Sequence, residues 1–291
     1  MKGLIVTADD FGAALEVNVA VERAHRNGIL TAASLMVGGG AATDAVARAR
    51  QLPSLKVGLH LVLVEGKPVL PADEIPDLVD TTGHFRTDMA WTGIDIFFKP
   101  RVRRQLAAEI TAQFRAFAAT GLTLDHVNAH KHFHLHPTIA GLIIKIGRQF
   151  GMNAARVPAE PNAILNRIER VPQGLAGKML TPWTMLLRSR FARAGLLTPT
   201  QVFGLAWSGA MTEARLAGIL QNLPDGLSEI YLHPATASGF DGAAPGYRYA
   251  DELAALTSPA VQTAAQASAA TRGGFGDFLD LSSLQSQARP A

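Results

Sequence analysis

The sequence predicts an α/β fold, a distorted (β/α) barrel of the TIM-barrel kind, on three observations. Strand and helix patterns alternate through the first third of the chain, as they do where a parallel sheet is covered by helices. About seven apolar strand-like runs are interleaved with helical patterns over the whole length. Acids and histidines recur where those runs should end, on the rim that carries the chemistry of α/β barrels.

Taken in order, Leu4 to Thr7 is a short apolar run ending in two acids, the pattern of a buried parallel strand entering a loop. Leu15 to Arg26 has helical spacing, with Leu15, Val19 and Ala20 on one face and Asn27-Gly28 as the C-terminal stop. A strand over Ile29 to Val37 closes at Gly38-Gly39-Gly40, a helix follows over Ala41 to Gln51, and a third strand over Lys56 to Val64 carries His60. Residues 69–100 are irregular and rich in Pro, Gly and Asp, and are expected to form an insertion or lid. Arg101 to Thr120 is an amphipathic helix, with Leu106, Ile110, Phe114 and Phe117 at spacings of three and four. Leu122 to Asn128 is a strand leading into a histidine cluster, Pro137 to Phe150 a helix, and Ala154 to Val157 a short strand. Further on, strands are expected at Gln201 to Ala206 and Glu229 to Leu232, and helices at Met179 to Leu197, Thr212 to Leu223 and Tyr249 to Leu256. No linker forces a division, so residues 1–281 are expected to be one domain and 282–291 a disordered tail.

Composition narrows the function. The chain has 291 residues, 48% hydrophobic and 18% charged, enough to bury a sizeable core. Lysine plus arginine exceeds aspartate plus glutamate by 27 − 24 = 3, too little to argue for nucleic acid, and no nucleic-acid motif is present. With no cysteine, disulfides, zinc-thiolate sites and cysteine nucleophiles are excluded. The N-terminus meets Asp9 and Asp10 too soon for a signal-peptide core, and no run is long enough to span a membrane, so a cytoplasmic protein is expected.

Four clusters carry candidate chemistry. Thr7-Ala8-Asp9-Asp10-Phe11-Gly12 puts two acids at a strand end, where one carboxylate can bind a metal while its neighbour acts as a base; a solvated turn or helix cap would use the same residues. His60 interrupts an apolar strand, as a ligand or as a core histidine bonded to a carbonyl. The segment from Asp125 to Pro137 holds His126, His130, His132, His134 and His136; if extended, the last four share one face. A single ion would not use them all, so some must orient others or contact substrate. His233 ends a late apolar strand, facing the same rim or capping structure there. A mixed carboxylate and imidazole set with open positions suits Zn²⁺, Mn²⁺, Co²⁺ or Fe²⁺ in a hydrolase.

Read as an ordered set, TADDFG (7–12), GLHL (58–61), HVNAHKHFHLHP (126–137), RVP (156–158) and LHP (232–234) resemble the YdjC-like carbohydrate deacetylases. HRNGILTAASLMVGG, GLHLVLVEGKPVLP, PRVRRQLAAEI and DHVNAHKHFHLHP resemble most a subgroup encoded with hopanoid biosynthesis. The resemblance implies a distorted barrel of the YdjC and polysaccharide-deacetylase type. It implies one divalent ion, Mg²⁺ or Zn²⁺ with Mn²⁺ or Co²⁺ as alternatives, held by Asp10, His60 and His130. It implies Asp9 as base, His233 as acid, and hydrolysis of the acetamide of an N-acetylglucosaminyl group on a hopanoid glycolipid. Arg156 would orient Asp9, and His132 and His134 would orient ligands or touch substrate. Relatives imply a homodimer.

Rival expectations are deacetylation of soluble chitooligosaccharides, a metal-dependent phosphoesterase, an amidohydrolase, and a non-catalytic sugar- or metal-binding module. An amidohydrolase would carry a His-x-His pair where this first strand carries two acids. The basic, apolar stretch 178–197, with Trp183, Met185, Leu186 and Arg188, Arg190 and Arg193, is expected either to lie peripherally on a membrane or to be a core helix with a basic edge.

Overall fold

The computed structural model describes residues 2–171 and 175–280, the latter without the side chains of 175–181. In chain order its elements are β1 (Lys2–Phe11), α1 (Leu15–Asn27), β2 (Ala32–Leu35), α2 (Ala42–Arg50), β3 (Lys56–Leu61), α3 (Met89–Phe98), α4 (Pro100–Ala119) and β4 (Val127–Ala129). A 3₁₀ segment (His130–Leu135) leads to α5 (Pro137–Gly147), α6 (Asn162–Ile168), α7 (Leu175–Arg193), β5 (Gln201–Phe203), α8 (Glu213–Gln221), β6 (Gly226–Leu232), α9 (Tyr249–Thr257), α10 (Pro259–Ala267) and β7 (Thr271–Arg272). The expected tail and the side chains of Met179 and Leu180 lie outside the described residues.

Every strand pairing is parallel, in the order β4-β3-β2-β1-β6-β5, with β7 also on β1. Bridges from Val127 to Ala155 and from Ala154 to Leu197 carry the pairing past β4 and begin to curl the sheet. The barrel read from the sequence is thus a curled half-barrel, and Ala154 to Val157 supplies bridges rather than a full strand. Burial of β1 at its centre explains its apolar run: Leu4, Ile5, Val6 and Ala8 are all inaccessible.

Three local readings need correction. The buried face of α1 is Val17, Ala20, Val21 and Ala24, while Leu15 and Val19 are exposed, because Asn18 turns inward to accept from the Gly12 amide and donate to the Ala41 carbonyl. Gly28 is not a left-handed stop (φ −140°); glycine is needed because a Cβ there would lie 2.2 Å from the Leu256 carbonyl oxygen. Residues 69–100 are not merely irregular. They contain α3, and the loop before it is pinned to α4: Glu109 accepts from the Val69 and Leu70 amides and Gln105 from that of Asp77. Gln105, Glu109 and Gln113 form a buried polar stripe at four-residue spacing along α4, beside its apolar one.

α7 has one side in the core and one side exposed. Leu187 and Phe191 are buried, Met185 and Leu186 are exposed, and Arg188 and Arg190 are spent on the carbonyls of Thr200 and Pro137.

Candidate active site

The site begins with a backbone irregularity. In a regular strand Asp9 and Asp10 would point to opposite faces. Here the β1–β2 register slips between Ala8 and Phe11, and Asp10 adopts a left-handed φ of 62°. The bulge turns the two neighbouring carboxylates into one cavity. Aspartate tolerates this region better than most residues.

Asp9 is 2% exposed and tightly held. Arg156, itself fully buried, donates Nη1 to Oδ2 at 2.5 Å and Nη2 to Oδ1 at 2.9 Å. Oδ1 also accepts from Ser34 Oγ and Asn128 Nδ2, each at 3.1 Å. Burial pushes the Asp9 carboxyl up, but the Arg156 guanidinium together with His60 and His233 outweighs it and holds the group well below the usual carboxylate range. Arg156 is shared with Glu229, whose Oε1 accepts from Nε at 3.0 Å and Nη2 at 2.7 Å.

Asp10 faces two histidines: its Oδ1 lies 3.3 Å from His60 Nε2 and 3.3 Å from His130 Nδ1. The hydrogen-bond chain fixes the tautomer of His60. A carboxylate only accepts, so Asn128 must turn its Nδ2 toward Asp9 and its Oδ1 toward His60. His60 Nδ1 therefore carries the proton of the 2.8 Å bond, leaving the Nε2 lone pair aimed at Asp10. Asp10 Oδ1 and His60 Nε2 are buried without a hydrogen-bond partner. One donor atom each from Asp10, His60 and His130 lies within 4.8 Å of the others. Ligands at about 2.0–2.1 Å from a shared tetrahedral ion stand about 3.3–3.4 Å apart. Orphaned lone pairs at that spacing, beside excess carboxylate charge, fit a divalent cation.

The histidine segment departs from its expected extended form. Lys131 and His132 have left-handed φ values of 55° and 53°, so the chain coils immediately after β4 and the alternate histidines do not share a face. His130 alone of the cluster joins Asp10 and His60. His132 lines the cavity, with Nε2 2.9 Å from the Tyr231 hydroxyl; burial keeps its imidazole neutral. His134 is 2% exposed and absent from the cavity wall, so its place is compatible with orienting neighbours but not with touching substrate. His136 packs against α3, near Phe97.

His233 follows β6 into the same cavity, its backbone N–H donating to Glu252 and its ring set between Tyr231 and Tyr247. The cavity has a volume of about 880 Å³. Glu65 and Lys67 line it from the loop after β3, Asp80, Thr82 and His84 from the insertion, Phe240 and Tyr247 from the loop after β6, and Tyr249 from the start of α9. Sequence reasoning missed Ser34, Asn128, Glu229 and Tyr231. Of these only Glu229 left a signal, a charge in a strand whose neighbours are all buried.

The family model of YdjC-like proteins matches residues 3–267. The chain belongs to the YdjC-like family. A carbohydrate deacetylase of Brevibacillus brevis is 40% identical over 147 residues, 50% of this chain and 56% of that relative. One from Geobacillus stearothermophilus is 29% identical over 260 residues, 88% of this chain and 89% of its own length. The matched stretch thus spans little more than half of the Brevibacillus relative. Among solved structures, a protein of Enterococcus faecalis V583, named for a proposed role in cellobiose-phosphate cleavage, superposes with a TM-score of 0.74 at 23% identity. That superposition covers 95% of this chain and 98% of the other. The shared fold is the curled half-barrel of the YdjC-like family.

Proposed function

We propose that this YdjC-like chain is a metal-dependent carbohydrate N-deacetylase. The observation that carries the reading is the Asp10, His60 and His130 triangle beside an Arg156-clamped Asp9, in a cavity large enough for a sugar. Carbohydrate deacetylase names among the relatives support it. A divalent ion held by the triangle supplies Lewis acidity, polarising the acetyl carbonyl and making water acidic enough to be deprotonated near neutral pH.

The chain's own residues do the rest. Asp9 Oδ1 already accepts from three donors, whereas Oδ2 accepts only from Arg156 Nη1, so Oδ2 has the lone pair that takes the proton of the attacking water. Arg156 keeps Asp9 ionised and aimed; the same clamp makes it a weak base, which is why the water must be acidified. His233, as an imidazolium, gives a proton to the departing amine nitrogen. Tyr247 and Tyr249 offer flat faces to a sugar ring, and Asp80, Thr82 and His84 offer hydrogen bonds to its hydroxyls. A single ligand cluster among the described residues supports a one-metal hydrolase over a two-metal phosphoesterase.

The substrate we propose is an N-acetylglucosaminyl group on a hopanoid polyol. Its support is the motif resemblance and an exposed apolar face on α3, formed by Trp91, Ile94 and Phe98 and followed in sequence by Lys99, Arg101 and Arg104. α3 and α7 flank the same corner: Gly93 approaches His136, and Trp183 Nε1 donates to the Leu135 carbonyl. No described helix is long and apolar enough to cross a membrane, so the contact we propose is peripheral.

The test is acetate release by metal-reconstituted protein from an N-acetylglucosaminyl hopanoid and, separately, from N,N'-diacetylchitobiose. Metal-dependent release from the lipid is expected. Release from chitobiose alone would keep the chemistry and reject the lipid; no release from either would overturn the deacetylase reading.

A further inference from the structure

Behind Asp9, among residues that do not line the cavity, lies a second line of buried polar groups. Asp125 Oδ2 lies 2.9 Å from His126 Nδ1, His126 Nε2 lies 3.0 Å from Ser34 Oγ, and Ser34 Oγ lies 3.1 Å from Asp9 Oδ1. Ser34 and His126 have no exposure at all. None of Ser34, Asp125 and His126 touches the cavity or belongs to the metal triangle.

The placement is elaborately supported. Phe275 stacks on the His126 ring at 4.3 Å and 20°. On the opposite strand Gly58 leaves the ring its room, since a Cβ there would fall 2.5 Å from imidazole atoms. Asp125 accepts from the amides of Phe275 at 3.0 Å and Gly276 at 2.8 Å. Burial pushes the Asp125 carboxyl up, but His126 and these amides outweigh it and hold it below its ordinary value, so it is ionised and acts only as an acceptor. The other charges near this line are Lys56, paired with Asp277 at 3.0 Å, and Asp9 itself with its partner Arg156.

Counting protons exposes a conflict at Ser34. His126 Nδ1 must carry a proton to serve Asp125. Asn128 spends its two Nδ2 protons on Asp9 Oδ1 and, at 2.8 Å, on Ser34 Oγ. Ser34 has one proton and two takers, the Asp9 carboxylate and His126 Nε2. If His126 Nε2 is protonated, it donates to Ser34 and Ser34 donates to Asp9. If Nε2 is bare, Ser34 turns to it and Asp9 loses a donor.

We propose that Asp125, His126 and Ser34 form a positioning relay for Asp9, in which the Ser34 hydroxyl sets how many donors the carboxylate carries. The relay ties the base to residues 275–276, which lie beyond the part of the chain matched by the family model. Stripped of the Ser34 donor, Asp9 is a stronger base but is less firmly aimed. The inference rests on Asp9 being the base.

The test is a double-mutant cycle on the metal-loaded protein, with Ser34→Ala, His126→Gln and the pair. Because Ser34→Ala removes only a hydroxyl, it keeps the test meaningful even if His126→Gln folds poorly. Each single change is expected to alter kcat by about tenfold, the scale seen when a group that orients a functional side chain is removed, with KM and metal content unchanged. The pair is expected to be no different from either single change, because both cut one line. In ¹⁵N-histidine spectra the His126 Nε2 signal is expected to move on Ser34→Ala. Wild-type kcat in Ser34→Ala, or additive losses with a fall in melting temperature and a raised KM, would overturn the relay. Near-normal turnover in Asp9→Asn would instead overturn the assignment of Asp9 as base, a failure these variants keep separate.

Discussion

At the floor of the cavity, Asp9 is bonded by residues 25, 119 and 147 positions away in sequence. On the wall, Asp80 accepts from Thr82 and His84, and Thr82 bonds His84, all within a span of five residues. The floor is therefore specified by sheet register and exists only when the whole fold does. The wall is a local turn that can be exchanged without disturbing the strands. A scaffold divided in this way can keep one chemistry while its loops choose among sugars.

The largest effect is expected at the Asp10, His60 and His130 triangle. His130→Ala is expected to lose the metal and, with it, turnover down to background; full occupancy by elemental analysis would assign the third ligand elsewhere. Next, Asp9→Asn should lower kcat by about 10²- to 10⁴-fold while metal stays bound, as measured by turnover and metal content on one sample. Asn128→Ala, one bond further out, is expected to weaken metal binding by about 10- to 100-fold in a chelator competition, since it frees the His60 tautomer.

pH sharpens the same contrast. Burial disfavours a charged His60, but the Asp10 hydrogen bond and the charges of Asp9 and Asp10 outweigh it, so its pKa is raised. The metal-free protein thus gains stability from His60 fully below the ordinary histidine value and loses that gain as pH rises through the raised one. Proton and ion compete for Nε2, so stabilisation by metal should grow as pH rises over that window. Melting curves with and without metal from pH 6 to 9 should converge on the acid side; parallel curves would argue against His60 as a ligand. The smallest effect belongs to the wall. His84→Ala should raise KM about two- to tenfold, the worth of one neutral hydrogen bond, with kcat held. A matching fall in kcat would mean that wall and floor are coupled.

The same division explains what the sequence could disclose. Asp9, Asp10, His60 and His233 were legible because each interrupts or ends an apolar strand, and the parallel fold was legible in the alternation of those strands with helices. Ser34 was not, because a serine between alanine and leucine in a short strand looks like any small residue. Glu229 needed the β1–β6 register, in which it pairs with Ile5 and so lies beneath Thr7 and Arg156. α3 was hidden because Met89 to Phe98 is apolar nearly all round, without the alternating polarity that marks a surface helix. The histidine segment misled for a conformational reason: a period of two implies one face only in extended chain, and two successive left-handed residues abolish it.

The left-handed backbone at Asp10 limits which side chains could stand in the proposed ligand set. A carboxylate there satisfies two demands at once, charge for the ion and a short side chain that tolerates the twist. Histidine or glutamate would bring donor atoms too, but on longer side chains, from a Cα whose direction is already fixed by the bulge. In the proposed metal site, a change of metal preference is therefore expected to come at His60 or His130, neither of which has a positive φ, rather than at Asp10. Of the three proposed ligands, Asp10 is the one whose backbone leaves the fewest alternatives.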